Sequence, residues 1–148
     1  MLVVGCRMAP QLKLWLTENE VNEELKIYVS YSQFAVFCPE LNEPFSEWTD
    51  EDVEKGFVWR PGSVSFRTTL EAGEHVIRIY GAEGSPASHR LASSISVPFI
   101  VPESGLVELG SISDTQVISV EPGSYRLTFE LINSDEQEAE IHLSFAKS

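Results

Sequence analysis

From Leu25 onward, apolar and polar residues alternate with a period of two, the pattern of strands with one buried face. Ile27, Val29 and Tyr31 share one face, and Tyr31-Ser-Gln-Phe-Ala-Val-Phe37 reads as an aromatic strand. Val64 and Phe66 alternate with Ser63, Ser65 and Arg67, and Ile77 and Ile79 with Val76, Arg78 and Tyr80. The clearest run sets Tyr125, Leu127, Phe129 and Leu131 against Arg126, Thr128 and Glu130. Ile141, Leu143 and Phe145 then alternate with His142 and Ser144, while residues 91–101 and 116–120 are also strand-like. Turn residues punctuate these runs at 61–62, 72–73, 84–86, 102–105, 122–123 and 133–136. About eight short strands at such spacing predict an all-β fold, an antiparallel β-sandwich or barrel. A parallel sheet would need crossover helices, and the chain offers one short helix.

That helix is expected over residues 49–55, within Trp48-Thr-Asp-Glu-Asp-Val-Glu-Lys-Gly-Phe57. Thr49 is a good N-cap, and Asp52, three residues on, completes a capping box. Asp50, Glu51 and Asp52 lie where the helix dipole favours negative charge. Lys55 sits at the other end, and Gly56 suits the left-handed C-cap conformation. Trp48, just before the cap, is expected to pack down onto the sheet.

Residues 1–24 break the pattern. Leu12, Leu14, Trp15 and Leu16 precede an acidic stretch, and the segment reads as an arm, a leader or a mis-set start ahead of a single sandwich domain of residues 25–148. Leu2-Val-Val-Gly-Cys6 resembles a lipoprotein box, but a secretory signal needs a basic start and an apolar stretch of about 7–15 residues. Only five residues precede Cys6, none of them basic, so a cytoplasmic location is expected. Cys6 and Cys38 are the two cysteines, read as reduced thiols, with a single disulfide as the alternative.

Charge sharpens the picture. The 148 residues carry 23 acidic and 10 basic side chains, a formal net charge of -13. Phosphate recognition needs a basic footprint, so direct nucleic-acid binding is disfavoured, as is an anionic membrane surface. No apolar run approaches the roughly 20 residues of a membrane span. The charge suits a basic partner, or serves solubility alone. Residues 40–54 concentrate it: Glu40, Glu43, Glu47, Asp50, Glu51, Asp52 and Glu54, with no basic residue among them. Helix initiation explains only part of this set, because Glu40, Glu43 and Glu47 precede the cap; the remainder is either a solvated face or a contact surface.

Other chemistry finds little footing. Asp50, Asp52 and Glu54 alternate like the start of a calcium loop, but Lys55 and Pro61 occupy the places where that loop needs Gly and Glu. His75, His89 and His142 are widely spaced and form no zinc motif, so no metal or other cofactor is expected. No nucleophile elbow is present. Paired carboxylates for glycoside chemistry remain open only because acids are abundant.

Taken in order, several segments resemble the competence protein J family, whose members inhibit a DNA-entry nuclease. They are Tyr31-x-Gln-Phe-x-Val-Phe37, Trp48-Thr-Asp-Glu51, Glu54-Lys-Gly56 with Phe57, Gly62-Ser-Val-Ser-Phe66, Val97-Pro-Phe99, and Pro122-Gly-Ser-Tyr125 leading into Leu127-Thr128. The resemblance covers roughly Leu25 to Leu131; residues 1–24 and 133–148 depart from the family pattern. It implies a non-enzymatic inhibitor of a small, basic, divalent-ion-dependent DNA nuclease, linked to competence and DNA uptake. The candidate contacts are Glu47, Asp50, Glu51 and Glu54, with Asp52 engaged in its own capping box. A sandwich that binds a non-nuclease partner or a ligand is the alternative.

Overall fold

The alternating runs pair into two five-stranded sheets whose apolar faces meet. The computed structural model describes residues 21–81, 91–132 and 139–148. Their order is β1 (Val21–Val29), β2 (Gln33–Phe37), α1 (Asp50–Lys55), β3 (Phe57–Arg60), β4 (Ser63–Arg67), β5 (Gly73–Tyr80), β6 (Leu91–Val101), β7 (Leu106–Ser111), β8 (Asp114–Ser119), β9 (Gly123–Ile132) and β10 (Ala139–Lys147). One sheet runs β1-β5-β10-β9-β6, the other β3-β4-β2-β7-β8. All neighbours are antiparallel except β5 and β10. That parallel pair needs no helical crossover, because β6 to β9 intervene before the chain returns as β10.

The all-β sandwich is the expected architecture, with ten strands among the described residues where periodicity gave about eight. β3 and β7 are the additions. β3 has only four residues, and in β7 the alternation fails because Leu109, Gly110 and Ser111 are all buried. β1 begins at Val21, inside the expected leader. Residues 1–20 with Cys6, the turn signals at 84–86 and 133–136, and His89 lie outside the described residues. Among the described residues, no helix is long and apolar enough to cross a membrane.

The core fills the space between the sheets. Ile27, Ile77, Leu127, Phe129, Ile141 and Leu143 face inward from one sheet, and Phe34, Val36, Val64, Phe66, Val107 and Leu109 from the other; all are fully buried. Phe129 joins the two layers, stacking on Phe66 at 4.3 Å between ring centroids and lying 6.3 Å from Phe34. Tyr125 donates its hydroxyl to the Glu121 carbonyl at 2.6 Å, which fixes the turn into β9.

Open sheet edges invite unwanted pairing, and here the edges are tied across the sandwich. The Trp59 indole of β3 donates to the Pro98 carbonyl of β6 at 2.7 Å. On the opposite side, the Tyr28 amide of β1 donates to Asp114 at 2.7 Å, and Gln116 donates to the Lys26 carbonyl at 3.0 Å. Pro98 lies on an edge strand, where its missing N–H costs no ladder bond.

One expected strand position moves. Tyr31 does not continue the face of Ile27 and Val29. Tyr31 and Ser32 both have φ of 57°, the left-handed conformation, and turn the chain from one sheet into the other. Each such non-glycine residue costs on the order of 1 kcal/mol and persists only where its surroundings fix it. Here they do. The Ser32 amide donates to the Glu71 carbonyl, and the Ser32 carbonyl accepts from the Thr68 amide, both at 2.9 Å. The buried Ser111 hydroxyl accepts from the Ser30 amide and lies 2.9 Å from the carbonyls of Ser30 and Gln33, to either of which it donates.

His75 is a fully buried titratable group. Its Nδ1–H donates to the Gly73 carbonyl at 3.0 Å, and Nε2 has no hydrogen-bond partner among the described residues. Burial pushes its pKa below the ordinary imidazole value, against a smaller opposing effect of the Gly73 bond. The neutral form is the folded form, so stability is complete above about pH 6.5, the unfolded value, and is lost as pH falls toward the lower folded value. Urea unfolding at pH 8, 6 and 5 is expected to show this decline, with a shallower slope for His75→Gln. In the same assay at pH 8, Phe129→Ala is expected to lose about 3–5 kcal/mol, because it opens the joint between the sheets.

Candidate functional site

Between β2 and α1 the chain crosses the outer face of the β3-β4-β2-β7-β8 sheet. Phe45 lays its ring edge against Phe37, with centroids 5.5 Å apart, and the Ser63 hydroxyl donates to the Pro44 carbonyl. Arg60 donates from Nε to the Ser46 hydroxyl at 3.1 Å and from Nη2 to the Glu43 carbonyl. The half-buried Trp48 donates its indole N–H to Gln33 at 3.3 Å, so it does pack onto the sheet. This cover explains why Ala35, Ser63 and Ser65, on the outward side of their strands, are fully buried.

α1 follows directly. The Thr49 hydroxyl accepts from the Asp52 amide, and Asp52 in turn accepts from the Thr49 amide, both at 3.1 Å, the reciprocal capping box expected from the sequence. Lys55 pairs with Asp52 at 3.5 Å and lies over the Phe57 ring. Gly56 closes the helix at φ 93°, and its amide donates to the Asp52 carbonyl at 2.8 Å. A helix of one and a half turns does not stand alone, and β4 supports it. The Arg67 amide donates to the Gly56 carbonyl at 2.9 Å, and the Arg67 guanidinium reaches the Val53 carbonyl at 3.3 Å.

The acidic residues then divide into two sets. Asp52 is occupied by the cap and Lys55, and Glu40 accepts from the Ser104 hydroxyl. Glu43, Glu47, Asp50, Glu51 and Glu54 are all exposed, and none of their carboxylates has a hydrogen-bond or ion-pair partner among the described residues. Asp50 and Glu54, four residues apart, share a helix face, with Glu51 beside them. The nearby cations are directed elsewhere: Lys55 to Asp52, Arg60 to the crossing segment, Arg67 to the helix carbonyl. The result is a patch of negative charge on a capped helix, uncompensated among the described residues. Cys38 is half-buried and, among the described residues, a free thiol, its pKa raised by burial and then by Glu40.

Periodicity did not disclose the exposed apolar residues beside this patch. Tyr31, on the left-handed turn, is 71% exposed, and Leu70 and Ile112 sit on the β4–β5 and β7–β8 connections. A Tyr-Ser turn carries no glycine or asparagine to announce itself.

A family model described as Competence protein J (ComJ) matches residues 26–146, extending past Leu131 to include β10. The chain is 28% identical over 103 residues to the "DNA-entry nuclease inhibitor" of Bacillus subtilis (strain 168), over 70% of this chain and 76% of that protein. In fold it is similar to the crystal structure of ComJ, inhibitor of the DNA degrading activity of NucA, from Bacillus subtilis. That likeness has a TM-score of 0.77 at 24% identity and covers 87% of this chain and 98% of the other. The "Crocagin biosynthetic gene J" structure is a more distant likeness, with TM-score 0.53, 20% identity and 82% and 94% coverage.

The cap has a measurable signature. The bonds from Thr49, and then Lys55, hold the Asp52 carboxyl below its ordinary pKa. Its contribution to helix stability is therefore complete above the ordinary carboxylate value and is lost as pH falls through the lower folded value. A carboxyl titration followed by NMR is expected to place Asp52 below the ordinary aspartate value, and Thr49→Ala, which removes the hydroxyl and keeps the amide, to raise it in part.

Proposed function

We infer its role from its family: the chain belongs to the competence protein J family, and its curated relative is named for inhibiting a DNA-entry nuclease. The chain acts as a non-enzymatic inhibitor of a small DNA nuclease linked to DNA uptake. The observation that carries the mechanism is the set of exposed carboxylates at Glu47, Asp50, Glu51 and Glu54, without partners among the described residues. A nuclease cleft is basic because it holds phosphates. An acidic surface on a protein of net charge -13 is drawn toward such a cleft, which speeds encounter at low salt.

Once docked, the carboxylates occupy phosphate positions and lie near the divalent ion that such a nuclease uses. Their setting favours this. α1 is capped at both ends and bonded to β4, so little conformational freedom is lost on binding. Like charges at this density repel, so folding alone does not account for them.

The test is the combined variant Glu47→Gln, Asp50→Asn, Glu51→Gln and Glu54→Gln. It is expected to remain folded, and its association rate with the cognate nuclease is expected to fall about 10-fold or more at low salt, with a flatter dependence on ionic strength. Unchanged inhibition with unchanged salt dependence would remove these residues from the contact.

A further inference from the structure

The acidic helix shares one end of the sandwich with three chain reversals. β2 begins there at Gln33, opposite Arg67 at the end of β4, and Arg67 holds α1. The β1–β2 turn is bonded to the β4–β5 connection through Ser32, Thr68 and Glu71, and to the end of β7 through Ser111. Each reversal exposes one large apolar side chain: Tyr31 at 71%, Ile112 at 50% and Leu70 at 41%. Charge and apolar surface thus lie side by side at one pole.

Tyr31 is the odd member. It occupies a left-handed position that Gly or Asn fills with less strain. The bonds that fix the turn run through backbone atoms of Ser30, Ser32 and Gln33, and none uses the Tyr31 ring. The ring has no hydrogen-bond or aromatic partner among the described residues. The fold therefore bears a left-handed residue whose exposed ring takes no part in the bonds that fix its turn. A tyrosine with few torsions, held out on a fixed turn, is what interface anchors require.

We propose that Tyr31 is the apolar anchor of the nuclease contact, inserting into a pocket beside the basic cleft, with Leu70 and Ile112 closing around it. The proposal rests on the nuclease-inhibitor reading above. The occupant follows from charge complementarity: a partner that meets this pole meets the unpartnered carboxylates of α1 as well, so its surface is basic next to the pocket. The two parts divide the work. The carboxylates govern the rate of encounter and its salt dependence, and the buried ring governs how long the complex lasts.

The experiment compares four proteins against the cognate competence nuclease in a DNA-cleavage titration with measured association and dissociation rates. They are the wild-type chain, Tyr31→Asn, Ser32→Gly and Ile112→Ser. Tyr31→Asn keeps a residue suited to the turn and removes the ring. It is expected to melt no lower than wild type yet bind about 30-fold more weakly, through faster dissociation and with the salt slope intact. Ser32→Gly relaxes the turn, keeps the ring and is expected to inhibit as wild type does. Ile112→Ser, on a separate reversal, gives an independent reading and is expected to weaken binding by a smaller factor in the same dissociation step. Wild-type inhibition matched within threefold by Tyr31→Asn would overturn the anchor, whatever Ile112→Ser does, while leaving the inhibitor reading standing. Absence of inhibition by the folded wild-type chain would overturn the inhibitor reading, and the anchor with it.

Discussion

The stack of Phe129 on Phe66 fixes the relation between the two sheets, and the functional pole hangs from the strand that carries Phe66. Arg67, the next residue, holds α1 by its amide and its guanidinium. Thr68, one further on, holds the left-handed turn through Ser32. Three consecutive residues thus link core, acidic helix and Tyr31. An error in the register of β4 would flip Phe66 out of the core and release both surface features together.

Several choices at this pole run against stability. Carboxylates repel one another with no cation paired to them among the described residues, two successive non-glycine residues are left-handed, and large apolar side chains face solvent. Charge is handled differently on another face. On the outer face of the β1-β5-β10-β9-β6 sheet, Arg78 pairs with Glu24 and Glu140, and Glu140 also meets His142. Acids there are compensated, and the Glu140 carboxyl is held below its ordinary pKa by His142 and Arg78 in spite of burial. Conflict between local and global preference concentrates where a protein meets something outside itself.

How much of this could be read from the sequence depends on where the cause lies. The α1 cap was legible in full because Thr49, Asp52, Lys55 and Gly56 act within one short segment. The long strands were legible because alternation is local too. β3 and β7 were not: one is a four-residue edge, and the other keeps Gly110 buried where a Cβ would collide with the Asp114 carbonyl. The Tyr31–Ser32 turn was unreadable because it is fixed by Thr68, Glu71 and Ser111, residues far along the chain. The family resemblance drew on Phe34, Phe66, Pro98 and Tyr125, which build the core, an edge and a turn. Such residues identify a fold and a family and say little about a contact. The candidate carboxylates stood out as an excess of charge, three of them inside resembling segments (Asp50, Glu51 and Glu54), and their lack of partners among the described residues needed the structure.

Hydrogen–deuterium exchange of the complex with the cognate nuclease tests the central claim most directly, because it maps the contact without altering a residue. Slowed exchange on complex formation is expected in residues 30–33, 47–56 and 68–72, at one pole, with the outer strands β1 and β6 unchanged. Protection confined to those strands or to the opposite pole, around Pro61-Gly62 and residues 102–105, would contradict that claim.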